Sequence, residues 1–123
     1  VFKKNLLVVL TACTLIFTSA APAHSVEVTS HAYVIANYDI KDPTIYQKYK
    51  DVAGPLVQKY NGKVTVFNES VKAKEGRPHS LFAIAEFPSI EYAERFYNSP
   101  EYTAVKKLRV ASTDGWVIIT KGN

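Results

Sequence analysis

EFPSIEYAERFYNSPEY, residues 86–102, decides how the rest of the chain is read. Pro88 has no N–H to give to a strand ladder, so the apolar run before it ends by Phe87. Ser89 can cap a helix, its hydroxyl accepting a backbone N–H from the next turn. Ile90, Ala93, Phe96 and Tyr97 then recur at helical spacing, with Glu91, Glu94 and Arg95 between them. Asn98-Ser99-Pro100 interrupts. The residue before a proline is biased away from helical angles, so Ser99 reads as a second N-cap and Pro100 as the first residue of a second helix. Glu101 suits the positive end of that helix's dipole. Tyr102, Val105 and Leu108 continue an apolar stripe, while Lys106, Lys107 and Arg109 load the other end.

Upstream, residues 33–39 (YVIANYD) read as a first strand. Asp42 caps a helix with Pro43 at its first position. Ile45, Tyr49, Val52, Leu56 and Tyr60 make one apolar helix face, which Tyr46, Ala53 and Val57 widen. Gly54-Pro55 predicts a kink or a break within it. Asn61-Gly62 ends the helix, Gly62 supplying a left-handed turn. Residues 63–70 alternate as a second strand, and residues 72–78 form a charged loop with a turn at Glu75-Gly76. Residues 79–87 are a third strand, nearly all apolar at its centre, as a central position requires. Beyond the double helix, Asp114-Gly115 turns the chain into a fourth strand, residues 116–120.

The fold class is therefore α+β. A βαββαβ order with right-handed crossovers gives a ferredoxin-like plait: a four-stranded antiparallel sheet, spatial order 4-1-3-2, with helices on one face. The other face carries aromatic and branched residues, and a second copy of the same sheet is the simplest cover. A homodimeric α+β barrel is expected.

The chain has 123 residues, enough for one domain. Residues 1–23 read as a secretory signal peptide: Lys3 and Lys4 form a positive start, residues 6–20 are uncharged and mostly apolar, and Ala21-Pro22-Ala23 offers small residues for cleavage. Such a run is shorter than the roughly 20 residues of a membrane-spanning helix, so contact with a membrane is expected only through the signal segment before cleavage. Residues 24–30 are a flexible lead-in and residues 31–123 the folded domain. The expected location is outside the cytoplasm, in a bacterial periplasm or secreted. Leu10-Thr11-Ala12-Cys13 resembles a lipobox, but the apolar run continues past Cys13 where a lipoprotein turns polar. Cys13 is the single cysteine and leaves with the signal, taking away any disulfide or thiol nucleophile. Loss of Lys3 and Lys4 leaves 13 basic against 11 acidic side chains, too even a balance to argue for nucleic acid.

AYVIANYDIKDPTIYQKY at residues 32–49, EG at 75–76 and EFPSIEYAERFYNSPEY together resemble the domain-of-unknown-function family DUF1330, within the dimeric α+β barrel superfamily. The resemblance covers nearly all of residues 32–122 and implies protomers paired sheet to sheet. It implies no settled activity: related families include cofactor-free monooxygenases, isomerases and haem-binding enzymes. Phe96 stands where tryptophan is common among relatives, and Asn61 where a second glycine often precedes Gly62.

The candidate chemistry is sparse. Central antiparallel neighbours bring the end of the first strand beside the start of the third. That puts Asn37, Tyr38 and Asp39 near His79, an arrangement able to bind a polar ligand or supply a general base. A solvated histidine paired with Asp39 is the plainer reading. Glu86 falls near Tyr33 at the far end, on the face opposite His79 by strand alternation. Asn37, Tyr38 and His79 are thus the ligand-binding candidates, and His79, Tyr38 and Glu86 the catalytic ones. No histidine pair has ligand spacing, so no metal is expected, and no motif calls for a cofactor. Tyr46, Tyr49, Tyr60, Tyr92, Tyr97 and Tyr102 fall on helices, where they either fill the core or line a cleft for a small hydrophobic or aromatic molecule. The third strand lacks the basic residue, the glycine and one aromatic of an RNA-recognition motif, so no nucleic acid partner is expected. The leading expectation is an exported dimer binding a small organic molecule, with a cofactor-independent enzyme as its catalytic form. The alternative is a non-enzymatic envelope protein that uses its open sheet face for self-association or a partner.

Overall fold

The computed structural model describes residues 14–19 and 30–123. The signal segment's start, Cys13 and most of the lead-in lie outside the described residues. No helix among the described residues is long and apolar enough to cross a membrane.

Capping side chains set the helix starts. Asp42 Oδ1 accepts from Ile45 N at 3.1 Å and opens α1, Pro43–Lys59. Ser89 Oγ accepts from Tyr92 N and opens α2, Ile90–Tyr97. Ser99 Oγ accepts from Tyr102 N at 3.1 Å and opens α3, Pro100–Ser112. Removing such a cap typically destabilises by about 1 kcal/mol. The strands are β1 (Ala32–Ile40), β2 (Lys63–Asn68), β3 (Leu81–Phe87) and β4 (Thr113–Lys121). They pair antiparallel in the order β2-β3-β1-β4, the ferredoxin-like arrangement.

Four local expectations are corrected. Of the kink or break expected at Gly54-Pro55, the break does not occur: α1 continues through Pro55. Gly54 has no Cβ to press against the proline ring, and the carbonyl that loses its donor belongs to exposed Asp51. The buried stripe of α1 is Tyr46, Ala53 and Val57, whereas Val52 stays 47 % exposed. The left-handed residue after α1 is Asn61, with φ 63°, not Gly62. Gly62 is demanded by packing: a Cβ there would lie 2.5 Å from Phe87 Cε1 and 2.8 Å from Val57 Cγ1. Finally, Asp114-Gly115 is no turn. The strand β4 starts directly after α3, and Gly115 sits within it against β1, where a Cβ would meet Asn37 O at 2.3 Å. The junction is tied down, since the N–H groups of Lys41 and Asp42 both donate to Ser112 O, at 2.7 and 3.2 Å.

Among the described residues, α1, α2 and α3 all lie on one face of the sheet. Ala32, Val34, Phe87, Ala93, Phe96, Tyr102 and Val105 form the core between the layers. Phe87 stacks on Phe96 with ring centroids 5.3 Å apart, and Phe96 meets Tyr102 at 4.5 Å. Burying each such ring stabilises the fold by roughly 1.5–3 kcal/mol. On the opposite face, Val66, Ile84, Ile35 and Ile118 stand in register across the whole sheet. Val66, Ile118 and the neighbouring Trp116 are 37 %, 47 % and 44 % exposed.

Candidate functional site

The residues singled out in the sequence fall into three places. Asn37 and Asp39 share the uncovered sheet face and hold the chain that enters β3. Asn37 Nδ2 donates to the carbonyls of His79 and Leu81 at 2.9 and 2.8 Å, and its Oδ1 accepts from His79 N at 3.0 Å. Asp39 Oδ1 accepts from Ser80 N, and Oδ2 lies 2.9 Å from His79 Nδ1. The hydrogen bond from the His79 ring, aided by the Ser80 amide, pulls the Asp39 carboxyl down to about 2. Asn37 is 3 % exposed and its amide is spent on backbone, so this cluster is a clasp with no free donor set at its centre.

Tyr38 does not join that clasp. Adjacent strand residues point to opposite faces, so it lies under the helices with Tyr46. Glu86 pairs with His31 at the other end of the sheet, opposite Tyr33 in the strand register. His79 precedes β3, so strand alternation does not govern it. Its ring joins Asp39 on the same uncovered face as Tyr33 and Glu86, which corrects the opposite-face expectation. Asp39 and Tyr33 are still about 20 Å apart at strand spacing, so the two pairs stay separate. No group of three or more His, Cys, Asp or Glu side chains that could hold a metal occurs among the described residues.

A different place has the shape of a site. An apolar cleft of about 120 Å³ lies between the sheet and α1 and α3. It exists because Ala36, Ala83 and Ala85 floor it and Ala53 and Gly54 leave α1 bare there. Its side toward β2 is thinly covered. A bulge between Val64 and Val66 turns both Val64 and Phe67 toward the helix layer, where they remain 46 % and 43 % exposed. Lys50 lies 5.2 Å above the Phe67 ring and 3.7 Å from Glu69 at this mouth.

Tyrosines line the interior. The hydroxyls of Tyr38 and Tyr46 are 2.9 Å apart, as are those of Tyr49 and Tyr102. The rings of Tyr46 and Tyr49 join the two pairs at 5.6 Å. Burial pushes the Tyr38, Tyr46 and Tyr49 hydroxyls above the ordinary tyrosine value, so they remain protonated donors and not bases. Arg109 also lines the cleft. It is 9 % exposed, its Nε has no hydrogen-bond partner, and no carboxylate among the described residues pairs with it. Burial works against its charge, but the neighbouring Tyr102 and Tyr49 outweigh that and leave its pKa raised. Reading Arg109 as a helix-end charge missed this. Tyr102, Val105 and Arg109 step by 3 and 4 along α3, so all three lie on its buried face.

Residues 31–123 match the family model of DUF1330, a domain of unknown function. The chain belongs to the DUF1330 family. No curated protein matches it. Among solved structures, this DUF1330 chain is similar to a protein of unknown function from Rhodopseudomonas palustris, at 21 % identity and TM-score 0.62, over 76 % of this chain and 83 % of that one. It is also similar to a dimeric ferredoxin-like protein of unknown function from Bacteroides fragilis, at 12 % identity and TM-score 0.52, over 75 % and 96 %. A third is SnoaB, a cofactor-independent oxygenase from Streptomyces nogalater, at 8 % identity and TM-score 0.57, over 77 % and 95 %. At these identities the likeness is one of fold.

Proposed function

We propose that this DUF1330 protein is exported, pairs through its open sheet faces, and binds a small hydrophobic molecule in the cleft of each protomer. The observation that carries the reading is the cleft itself, an apolar cavity edged by four tyrosine hydroxyls and one guanidinium. Concave apolar space with a few convergent polar groups is the usual form of a ligand site. Export is supported by Lys3, Lys4 and the uncharged residues 6–20. Dimerisation is supported by the apolar row Val66, Ile84, Ile35 and Ile118, which no helix among the described residues covers.

The polar groups lining the cleft are tyrosine hydroxyls, the inner Arg109 guanidinium and Lys50 at the mouth, with no carboxylate or imidazole among them. Such a site stabilises negative charge and lacks a general base of its own. Binding is therefore the primary reading. An enzyme here would need a substrate that ionises readily, the cleft holding the anion; the likeness in fold to a cofactor-independent oxygenase favours this as the catalytic form. A thermal-shift screen of single-ring hydrophobic compounds tests the reading. Hits that vanish when Ala83→Phe fills the cleft are expected. Hits that survive Ala83→Phe, or no hits at all, would overturn it.

A further inference from the structure

We propose that Arg109 anchors the carboxylate of a compact, single-ring acid bound in the cleft, an inference that rests on the cleft being a ligand site. An unpaired charge withdrawn from water is strongly unfavourable, and proteins rarely bury one without a partner. Arg109 comes near that case: it is largely buried, its Nε is unbonded, its neighbours are tyrosine hydroxyls, and no acidic side chain pairs with it among the described residues. Its place in the last turn of α3 lets the helix carbonyl end offset part of that penalty. The rest is left for something that enters the cleft.

The chemistry of the site narrows what that is. One guanidinium matches one negative charge, and its planar fork suits a carboxylate. An alcohol or an amide would leave the cation uncompensated, and a phosphate monoester would bring more charge than the site balances. The Tyr49 and Tyr102 hydroxyls, which act on Arg109, can bond a second carboxylate oxygen. The remaining walls are alanine, valine and aromatic rings, the Tyr46 and Tyr49 rings offering faces and edges to a flat ligand. The volume of about 120 Å³ is close to the ~150 Å³ of an apolar cavity that takes up one benzene ring. Lys50, the other cation at the cleft, is engaged by Glu69 at the mouth and leaves the inner position to Arg109.

Calorimetric titration of the purified protein with sodium benzoate and with benzyl alcohol tests this. The expected result is that benzoate binds at least about tenfold more tightly, equivalent to about 1.4 kcal/mol. In Arg109→Met that preference disappears while benzyl alcohol still binds, and the variant's Tm is unchanged or higher. If the native protein binds benzyl alcohol as well as or better than benzoate, the anchor is wrong and the cleft reading stands. If Arg109→Met keeps the preference, another group holds the anion and the proposal falls. Binding of neither compound overturns the anchor, and the screen with Ala83→Phe then decides the cleft reading separately. Arg109→Gln repeats the comparison should the methionine variant not fold, and the native pair of titrations decides the charge preference without any variant.

Discussion

Gly62→Ala is the sharpest test of how the layers meet. The new methyl would sit 2.5 Å from Phe87 Cε1, 2.7 Å from Phe87 Cζ and 2.8 Å from Val57 Cγ1. Phe87 is 1 % exposed and stacked on Phe96, and Val57 is 6 % exposed, so neither can swing into solvent. Overpacking of this kind costs about 1–3 kcal/mol, and contact with two buried side chains puts the expectation near the top of that range. Phe87→Leu on its own removes ring contacts and should destabilise by about 1–2 kcal/mol. It also makes room for the methyl. The double variant should therefore be more stable than the sum of the single effects by about 1 kcal/mol or more, a coupling expected of residues in contact. Urea unfolding followed by far-ultraviolet circular dichroism at one fixed protein concentration measures all three, the fixed concentration keeping any self-association constant. A loss below about 0.5 kcal/mol for Gly62→Ala, or strict additivity in the cycle, would refute the argument that packing and not backbone conformation keeps glycine at this position.

Other outcomes follow from the same geometry. Ile118→Glu, in the centre of the uncovered row, should turn a dimer into a monomer by light scattering coupled to gel filtration; a native protein that already runs as a monomer would remove the pairing. The Asp39 carboxyl is held at about 2 in the folded protein against an ordinary 3.8, so its contribution is complete above about pH 4 and disappears as the pH falls toward 2. The Tm difference between the native protein and Asp39→Asn should shrink across that window. Tyr38, Tyr46 and Tyr49 are raised above the ordinary value of 10.0, so their protonated forms favour the fold increasingly little as the pH rises past that value. An alkaline absorbance titration should show these three ionising only with unfolding, and Tyr38→Phe should cost about 1 kcal/mol through the lost bond to Tyr46.

What the sequence made legible was chiefly local. Asp42, Ser89 and Ser99 act as caps within their own turn, so each helix start could be read from a few neighbouring residues. Strand order followed from the alternation of element types, and the DUF1330 resemblance rested on the same stretches. Errors arose where two residues could serve one purpose or where distance in sequence mattered. Either Asn61 or Gly62 can take a left-handed angle, and only the approach of Phe87 from the far side of the fold decides between them. Gly115 looks like a turn until β1 is laid against it. Tyr38 was grouped with Asn37 and Asp39 by nearness along the chain, although alternation alone sends it to the other face. The tyrosine-lined cleft was anticipated as a class of place. Its volume depends on how alanines of β1, β3 and α1 coincide across the layers, which no single stretch encodes. Arg109 was within reach: its spacing from Tyr102 and Val105 already put it on the inner side of α3.

The junction of α3 and β4 has a mechanical consequence. Ser112 Oγ donates to Leu108 O, Thr113 Oγ1 donates to Arg109 O, and the Ser112 carbonyl accepts the amides of Lys41 and Asp42 in the turn before α1. The rear wall of the cleft is thus pinned at its end to the turn that joins central strand β1 to α1. The β2 wall is an edge strand whose six residues are all exposed. If a guest enters by the mouth beside β2, hydrogen exchange in β2 should slow on its uptake while the last turn of α3 hardly changes.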